Sequence, residues 1–446
     1  MLERRSPALP PGPPWSPAGA TLRWLLRPVA TMEGCRARYG DVFTVRFLHE
    51  GTTVMISHPE DVQRIFTADP AVVHAGEGRR LMAPIFGENS VVCLDEEPHQ
   101  AQRRLLLQPF HGDRLSVYED LVDEITRAEL AKCEMGTPIK FAPVLRSIAL
   151  DIIIRAVFGI DDPRRAAPLR EATLQLLDFT SSILRMTPLM LLGPVRAPRI
   201  PMVRKLLNDV DTLIYEEIAA RQADPDFPER PDVLSMLLTT EHEDGTPITP
   251  VEVRDQLVTL LIGGHETTAT ALSWGIERLS HSPQALARLR SEVMAGEEGY
   301  LDAVVKETLR IGSVLPVTSR VLKAPFELRR QTIPAGTMVT VCSFLTHHDP
   351  RIYPQPYSFR PERFLEPSTE TYSWIPFGGG VRRCIGGSFA VLEMKAVLKA
   401  ISEELRLEPV GSFPEPTARR AITLVPRNGC EVICRRATAS PALEAR

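Results

Sequence analysis

Hydrophobic and polar positions alternate first at Val42 to Phe47 and again at Thr53 to Ser57, on either side of His49-Glu50-Gly51, which predicts a β-hairpin. Pro59 follows, with Ser57 or His58 placed to cap a short helix. From Asp69 to Cys93 no period survives, and the stretch reads as a long mixed loop. Helical spacing returns from Glu97 to Phe110, where His99 and Arg103 are four apart and share a face. Leu115 to about Arg221 reads as a series of amphipathic helices, interrupted at Thr187 to Pro201 by four prolines and a glycine. Thr249-Pro-Val-Glu252 is a capping box with proline in the first turn, and no breaker follows until Ser280-His-Ser-Pro283. The intervening ~32 residues predict a helix close to 50 Å long, able to cross the whole molecule. Beyond it, Leu301 to Ile311 is helical, Val314 to Arg320 is an apolar strand, and Pro334-Ala-Gly336 turns into a strand from Thr337 to Val341. After Gly387, the residues Phe389, Leu392, Ala396, Val397, Ala400 and Ile401 line one helix face. Ala421 to Val425 and Glu431 to Cys434 read as a closing hairpin around Pro426-Arg-Asn-Gly429.

Composition narrows the class. The 446 residues are 43% apolar and 24% charged, enough to bury a sizeable core. A net charge of −4, with few aromatics and none interleaved with a basic run, argues against a nucleic-acid binder. The seven cysteines are scattered and contain no Cys-x-x-Cys pair, so neither a disulfide framework nor a structural zinc site is expected. That usage fits a reducing, cytoplasmic setting. Arg4 and Arg5 lack an apolar stretch behind them, and the most apolar run, Ile148 to Ile160, is short and interrupted by Asp151 and Arg155. Neither a secretory signal nor a transmembrane anchor is expected.

The chemistry concentrates in Phe377-Gly-Gly-Gly-Val-Arg-Arg-Cys-Ile-Gly-Gly387. One cysteine sits in a loop with five glycines and two arginines, just before a helix N-terminus that favours a thiolate over a thiol. Such a thiolate wants either an electrophile or a metal, although a lone cysteine is as readily a buried inert one. In the long helix, Ile262-Gly-Gly-His-Glu-Thr-Thr-Ala269 places two glycines in the interior, at roughly 1 kcal/mol each relative to alanine. Close approach of a ligand or a widened turn would offset that cost; so would helix packing through small residues. His265-Glu266 is no zincin signature, because position 269 is alanine.

The string Phe377, Gly380, Arg382, Cys384, Gly386 resembles the haem-binding loop of the cytochrome P-450 family, in which the cysteine is the axial ligand of haem iron. Three further motifs occur in the family's order. The His99-x-x-x-Arg103 pair resembles the propionate-binding pair, and Gly263-Gly-His-Glu-Thr267 resembles the oxygen-handling signature, with Glu266 and Thr267 as the acid and alcohol that manage protons. Glu307-x-x-Arg310 together with Pro361-Glu-Arg363-Phe resembles the family's buried structural triad.

The resemblance implies a mainly α fold with a small β-rich region, a triangular helical prism around a buried haem. It implies haem b as cofactor, dioxygen as co-substrate, and electrons ultimately from NAD(P)H. Propionate contacts would come from His99, Arg103, Arg320 and Arg382, with Phe377 and Gly386 packing on the ring. The substrate pocket would include Gly263, Val314, Leu315, Val317 and Ile422, and 187–201 would be a lid over its entrance. The expected organisation is a proline-rich leader over 1–20, one domain over 21–436 and a loose tail over 437–446. The 59 residues after Gly387 leave no room for a reductase domain. The expectation is therefore a monomeric monooxygenase of an apolar small molecule, fed by a ferredoxin-type or flavodoxin-type donor with its reductase. Arg103, Arg104, Arg382, Arg383 and Lys395 would form the basic docking patch. A peroxide-using, isomerase or dehydratase haem-thiolate enzyme, or a haem-binding sensor, would share the cysteine loop; the Glu266-Thr267 pair weighs against the first group.

Overall fold

The computed structural model describes residues 9–110, 115–182, 185, 200–366 and 371–437. Its axis is the Pro250–Ser280 helix, 31 residues and about 46 Å long. The capping box that begins it is complete, with Thr249 and Glu252 bonding each other's backbone amides. Helices Val117–Leu130, Ala142–Phe158, Gly299–Gly312 and Gly387–Glu404 surround it and share one large apolar core. From Thr268 to Gly275 the central helix is buried on every side, and Trp274 donates to the Leu424 carbonyl. The Gly387–Glu404 helix carries one polar anomaly. Glu393 is fully buried and neither of its carboxyl oxygens has a hydrogen-bond partner.

Twelve short strands lie among the described residues: β1 (Val42–Phe47), β2 (Gly51–Ile56), β3 (Val73–His74), β4 (Pro138–Lys140), β5 (Thr318–Leu322), β6 (Phe326–Glu327), β7 (Thr332–Ile333), β8 (Met338–Val341), β9 (Leu405–Pro409), β10 (Thr417–Arg420), β11 (Thr423–Pro426) and β12 (Glu431–Arg436). The largest sheet runs β1-β2-β8-β5-β3, with the predicted hairpin at one edge and a parallel β2–β8 pair inside it. Parallel pairing requires a long crossover. Here nearly all the helices lie within it, so the sheet ties the start of the chain to its last third.

Five expectations need correction. The 69–93 stretch is not structureless: it contains β3, a 3-10 turn over Glu77–Met82 and a short helix over Ala83–Phe86, too brief for their periods to register in sequence. The first helix begins at Pro17, within the expected leader. The described part of the leader is packed as well, since Thr44 bonds the Pro10 and Pro11 carbonyls. The strand expected from Val314 begins only at Thr318, because Ser313 is left-handed (φ 38°) and the 314–317 segment runs irregularly after it. The closing hairpin has other partners. β11 pairs with β10 across a two-residue turn at Ala421-Ile422, with Ala421 at φ 49°, while β12 pairs with β9 and β4. Finally, the adjacent His347 and His348, which the proline-rich sequence around them assigns to a loop, are not loop residues. Both are buried at the end of the Ser343–His347 helix, where His347 bonds Ser313 through Nδ1 and accepts the Ile375 amide at Nε2.

Candidate active site

The cysteine loop needs its glycines for identifiable reasons. Gly378 and Gly380 have φ of 68° and 61°, and a Cβ on Gly380 would lie 1.7 Å from the Phe66 carbonyl oxygen. A Cβ on Gly379 would strike the Phe66 and Tyr372 rings. The Cys384 amide donates to the Phe377 carbonyl at 2.9 Å, closing the loop, and the Phe377 ring packs against Gly387 at the start of the following helix. A side chain on Gly386 would meet open space.

Cys384 is exposed by surface area, yet it lies deep enough among protein atoms that burial pushes its thiol up. The Gly386 amide, then Arg103 and Arg383, pull in the opposite direction. A side chain both open and enclosed lines an internal recess.

Cations crowd its edge. His99 is 3% exposed, and burial followed by the Arg382 and Arg103 charges pushes its pKa down to about 3, so it is a neutral donor. Arg103 is half-buried beside Cys384 and Arg383. Arg320 is also 3% exposed; burial, then Arg79 and Arg382, lower it to about 9. Arg382 is turned inward, bonded to Asp95 Oδ1 at 2.5 Å and to the Leu94 and Val91 carbonyls. Asp95 in turn accepts the amides of Ala75, Gly76 and Glu77. Arg79 and Asp95 carry no sequence motif: Asp95 looks like an ordinary N-cap before Glu96, and Arg79 falls in the stretch read as a mixed loop.

Across the molecule, the two central glycines separate in role. A Cβ on Gly264 would come within 2.5 Å of Ile153 Cδ1, so this glycine serves helix packing. Gly263 is exposed and a Cβ there would meet nothing within 4 Å, so it faces open space in the middle of a buried helix. The helix itself is unbroken, with no widened turn at the two glycines. Thr267 Oγ1 donates to the Gly263 carbonyl at 2.7 Å, a back-bond within the helix. Glu266 is pushed up to about 7 by burial, partly offset by Arg146, and its Oε2 has no hydrogen-bond partner. Arg420 Nε lies 3.3 Å from Glu266 Oε1, but its hydrogen bonds go to Ser181 and Asp178, so the burial effect prevails. His265 points away, with Nε2 donating to the Arg146 carbonyl at 3.1 Å.

The apolar candidates distribute unevenly. Leu315 and Ile422 are 40% and 56% exposed, unusual for their type, and the Leu424 amide donates to the Val314 carbonyl, joining the hairpin to the 314–317 segment. Val314 and Val317 are half-buried, Val317 against the N-terminal apolar cluster. The expected lid at 187–201 falls mostly outside the described residues.

The supporting triad is assembled. Arg310 and Glu307 are fully buried and bonded twice, at 2.7 and 2.8 Å, and Arg363 Nε lies 3.4 Å from Glu307 Oε1. The basic patch is not assembled: Arg382 is inside, Arg104 holds Glu97 and Glu243, and Lys395 holds Glu298, because neighbouring carboxylates on the same surfaces neutralise them. No described helix is long and apolar enough to cross a membrane.

A family model described as Cytochrome P450 matches residues 10–432. Two Mycobacterium tuberculosis proteins are similar over most of their length. One, provisionally named cytochrome P450 135B1, is 36% identical over 440 residues, 97% of this chain and 92% of its own. Another, provisionally named cytochrome P450 137, is 37% identical over 396 residues, 89% of this chain and 83% of its own. Among solved structures, a retinoic-acid-bound cyanobacterial CYP120A1 superposes with a TM-score of 0.82 at 24% identity, covering 97% of this chain and all of that one. The haem domain of cytochrome P450DA superposes at 0.81 and 21% identity, over 97% of this chain and 99% of that one. At those identities the structural likeness speaks for the fold alone.

Proposed function

The chain belongs to the cytochrome P450 family, and from that premise we propose that it is a monooxygenase inserting one atom of dioxygen into an apolar small molecule, by hydroxylation or epoxidation. The observation that carries the reading is the Cys384 thiol, open though ringed by protein, with Arg103 beside it and the cluster of Arg382, Arg320 and His99 adjoining. These residues fit haem b. Its two carboxylates would answer the cationic edge, and a thiolate ligand suits its iron. The bound haem supplies the redox centre at which dioxygen is reduced and split.

Cys384 would hold the iron through its thiolate, which the Gly386 amide and the helix N-terminus stabilise. His99, Arg103, Arg320 and Arg382 would hold the propionates, with Phe377 and Gly386 against the ring. Glu266 keeps its proton up to about pH 7 and is therefore suited to pass one at working pH. Thr267 offers a hydroxyl one residue along, already oriented by its bond to Gly263. Glu307, Arg310 and Arg363 hold the segment leading to the cysteine loop. Gly263, Val314, Leu315, Val317 and Ile422 would line the substrate site, and the unusual exposure of Leu315 and Ile422 supports an apolar substrate. The working form would be a cytoplasmic monomer supplied by a ferredoxin-type or flavodoxin-type donor and its reductase.

The test is spectroscopic, then chemical. The reduced, CO-bound protein should show the red-shifted Soret band of a thiolate ligand, and Cys384→Ala should lose it. Apolar candidates that shift the ferric spin state should then be oxygenated in the presence of a reductase system. A CO complex with a histidine-type band would refute the assignment.

A further inference from the structure

Arg79 is a charged side chain that no motif assigns. It sits on the Glu77–Met82 turn, half-buried by area, yet enclosed enough that burial lowers its pKa. Like Cys384, it is surrounded by protein and still open on one side. Its Nη2 donates to Thr318 Oγ1 at 3.0 Å, and Arg320 Nη1 donates to the same oxygen at 3.1 Å. Two guanidinium groups therefore converge on one uncharged acceptor, and among the described residues neither lies within ion-pair distance of a carboxylate. Asp95, the acid next to this corner, is committed to Arg382 and three backbone amides. His99 is neutral and Arg103 faces the cysteine. Arg79 and Arg320 are thus two carboxylate-free guanidiniums that meet at one oxygen. Like charges brought together inside a protein call for an anion between them.

We infer that Arg79 is a further cofactor-binding residue, which with Arg320 forms a two-arginine clamp on one haem carboxylate. This rests on the haem reading above. The 3-10 turn that presents Arg79 would then be ordered by the cofactor, linking haem loading to the segment between β3 and the Glu96–Leu107 helix.

The test compares Arg79→Met with wild-type holoprotein in two forms, one with haem b and one reconstituted with its dimethyl ester, whose carboxylates carry no charge. Transfer of ferric haem b to apomyoglobin should be about tenfold faster from Arg79→Met, the loss of roughly one charge-assisted hydrogen bond. The reduction potential should also move negative. With the ester, variant and wild type should release the group at the same rate. Arg79→Lys, which keeps the charge and loses the fork, should fall between, and it serves alone if the Met variant does not fold. Equal transfer of haem b from wild type and both variants overturns the proposal, as does a difference that persists undiminished with the ester. A wild-type CO complex lacking the thiolate band would instead overturn the family-based function, an outcome read independently of Arg79.

Discussion

Replacing Arg310 with methionine should unfold this protein's supporting frame more severely than any surface change. Arg310 and Glu307 are both fully buried. The guanidinium donates to Glu307 Oε2 at 2.7 Å and Oε1 at 2.8 Å, to the His347 and Pro356 carbonyls at 2.7 and 2.8 Å, and to Ser358 O at 3.5 Å. Arg310→Met strands a carboxylate that retains only the Arg360 amide at 2.8 Å and the poorly aligned Arg363 at 3.4 Å. Breaking a buried pair from one side costs about 3–5 kcal/mol. The orphaned carbonyls would add to this, but effects within one network are not additive, so about 4 kcal/mol is the working figure. The double variant Glu307→Gln/Arg310→Met removes the stranded charge, and its loss should be smaller than the sum of the two single losses by about 2 kcal/mol. The assay is urea unfolding followed by far-ultraviolet circular dichroism and by the haem band at equal haem content, since a cofactor-binding chain of this size need not unfold in one step. An Arg310→Met variant within 1 kcal/mol of wild type, or single losses that simply add, would refute the argument that desolvation of the stranded carboxylate dominates.

Three other outcomes follow from particular atoms. Gly263→Ala should fold normally and gain up to about 1 kcal/mol of helix stability while altering the spin-state response to substrates, whereas Gly264→Ala should destabilise and be partly rescued by Ile153→Val; circular dichroism and haem titrations separate the two. Glu393 is pushed well above the usual carboxylate range by burial, so the native state holds a proton that the unfolded chain releases above pH ~4.5. Wild type therefore loses stability as pH rises from there, and Glu393→Gln should be the more stable protein at pH 8, with an advantage growing by up to about 1.4 kcal/mol per unit, measured as urea midpoints at pH 5 and 8. Glu266, with its pKa near 7, should make product formation per electron fall as pH passes through 7; Glu266→Gln should be slow and flat across that range, and a variant keeping the wild-type profile would remove Glu266 from proton delivery.

What could be read from sequence was what is local. The Thr249 capping box located the central helix to the residue, because cap and proline are short-range signals. The β1–β2 hairpin was legible for the same reason. Long-range pairing was not. Nothing in Thr423 to Arg436 says that β11 turns back on β10 while β12 crosses to β9 and β4. The adjacent histidines 347 and 348 resembled loop residues because their burial depends on Ser313, Arg310 and Ile375, none of them a sequence neighbour. Arg79 was invisible on similar grounds. Its partner Thr318 is 239 positions away, and the 3-10 turn carrying it is too short for any periodic signal.

The Ala421-Ile422 turn has a practical corollary. Arg420, immediately before it, bonds Asp178 and Ser181 and stands 3.3 Å from Glu266, while Ile422, two residues after Arg420, has an exposed side chain. On the proposed function, substrate fit and proton supply would therefore share this two-residue turn. A directed-evolution campaign that reshapes the tip for a bulkier molecule will also move the acid's neighbour. Its winners should be selected on product formed per reducing equivalent, because binding alone will reward clones that squander electrons.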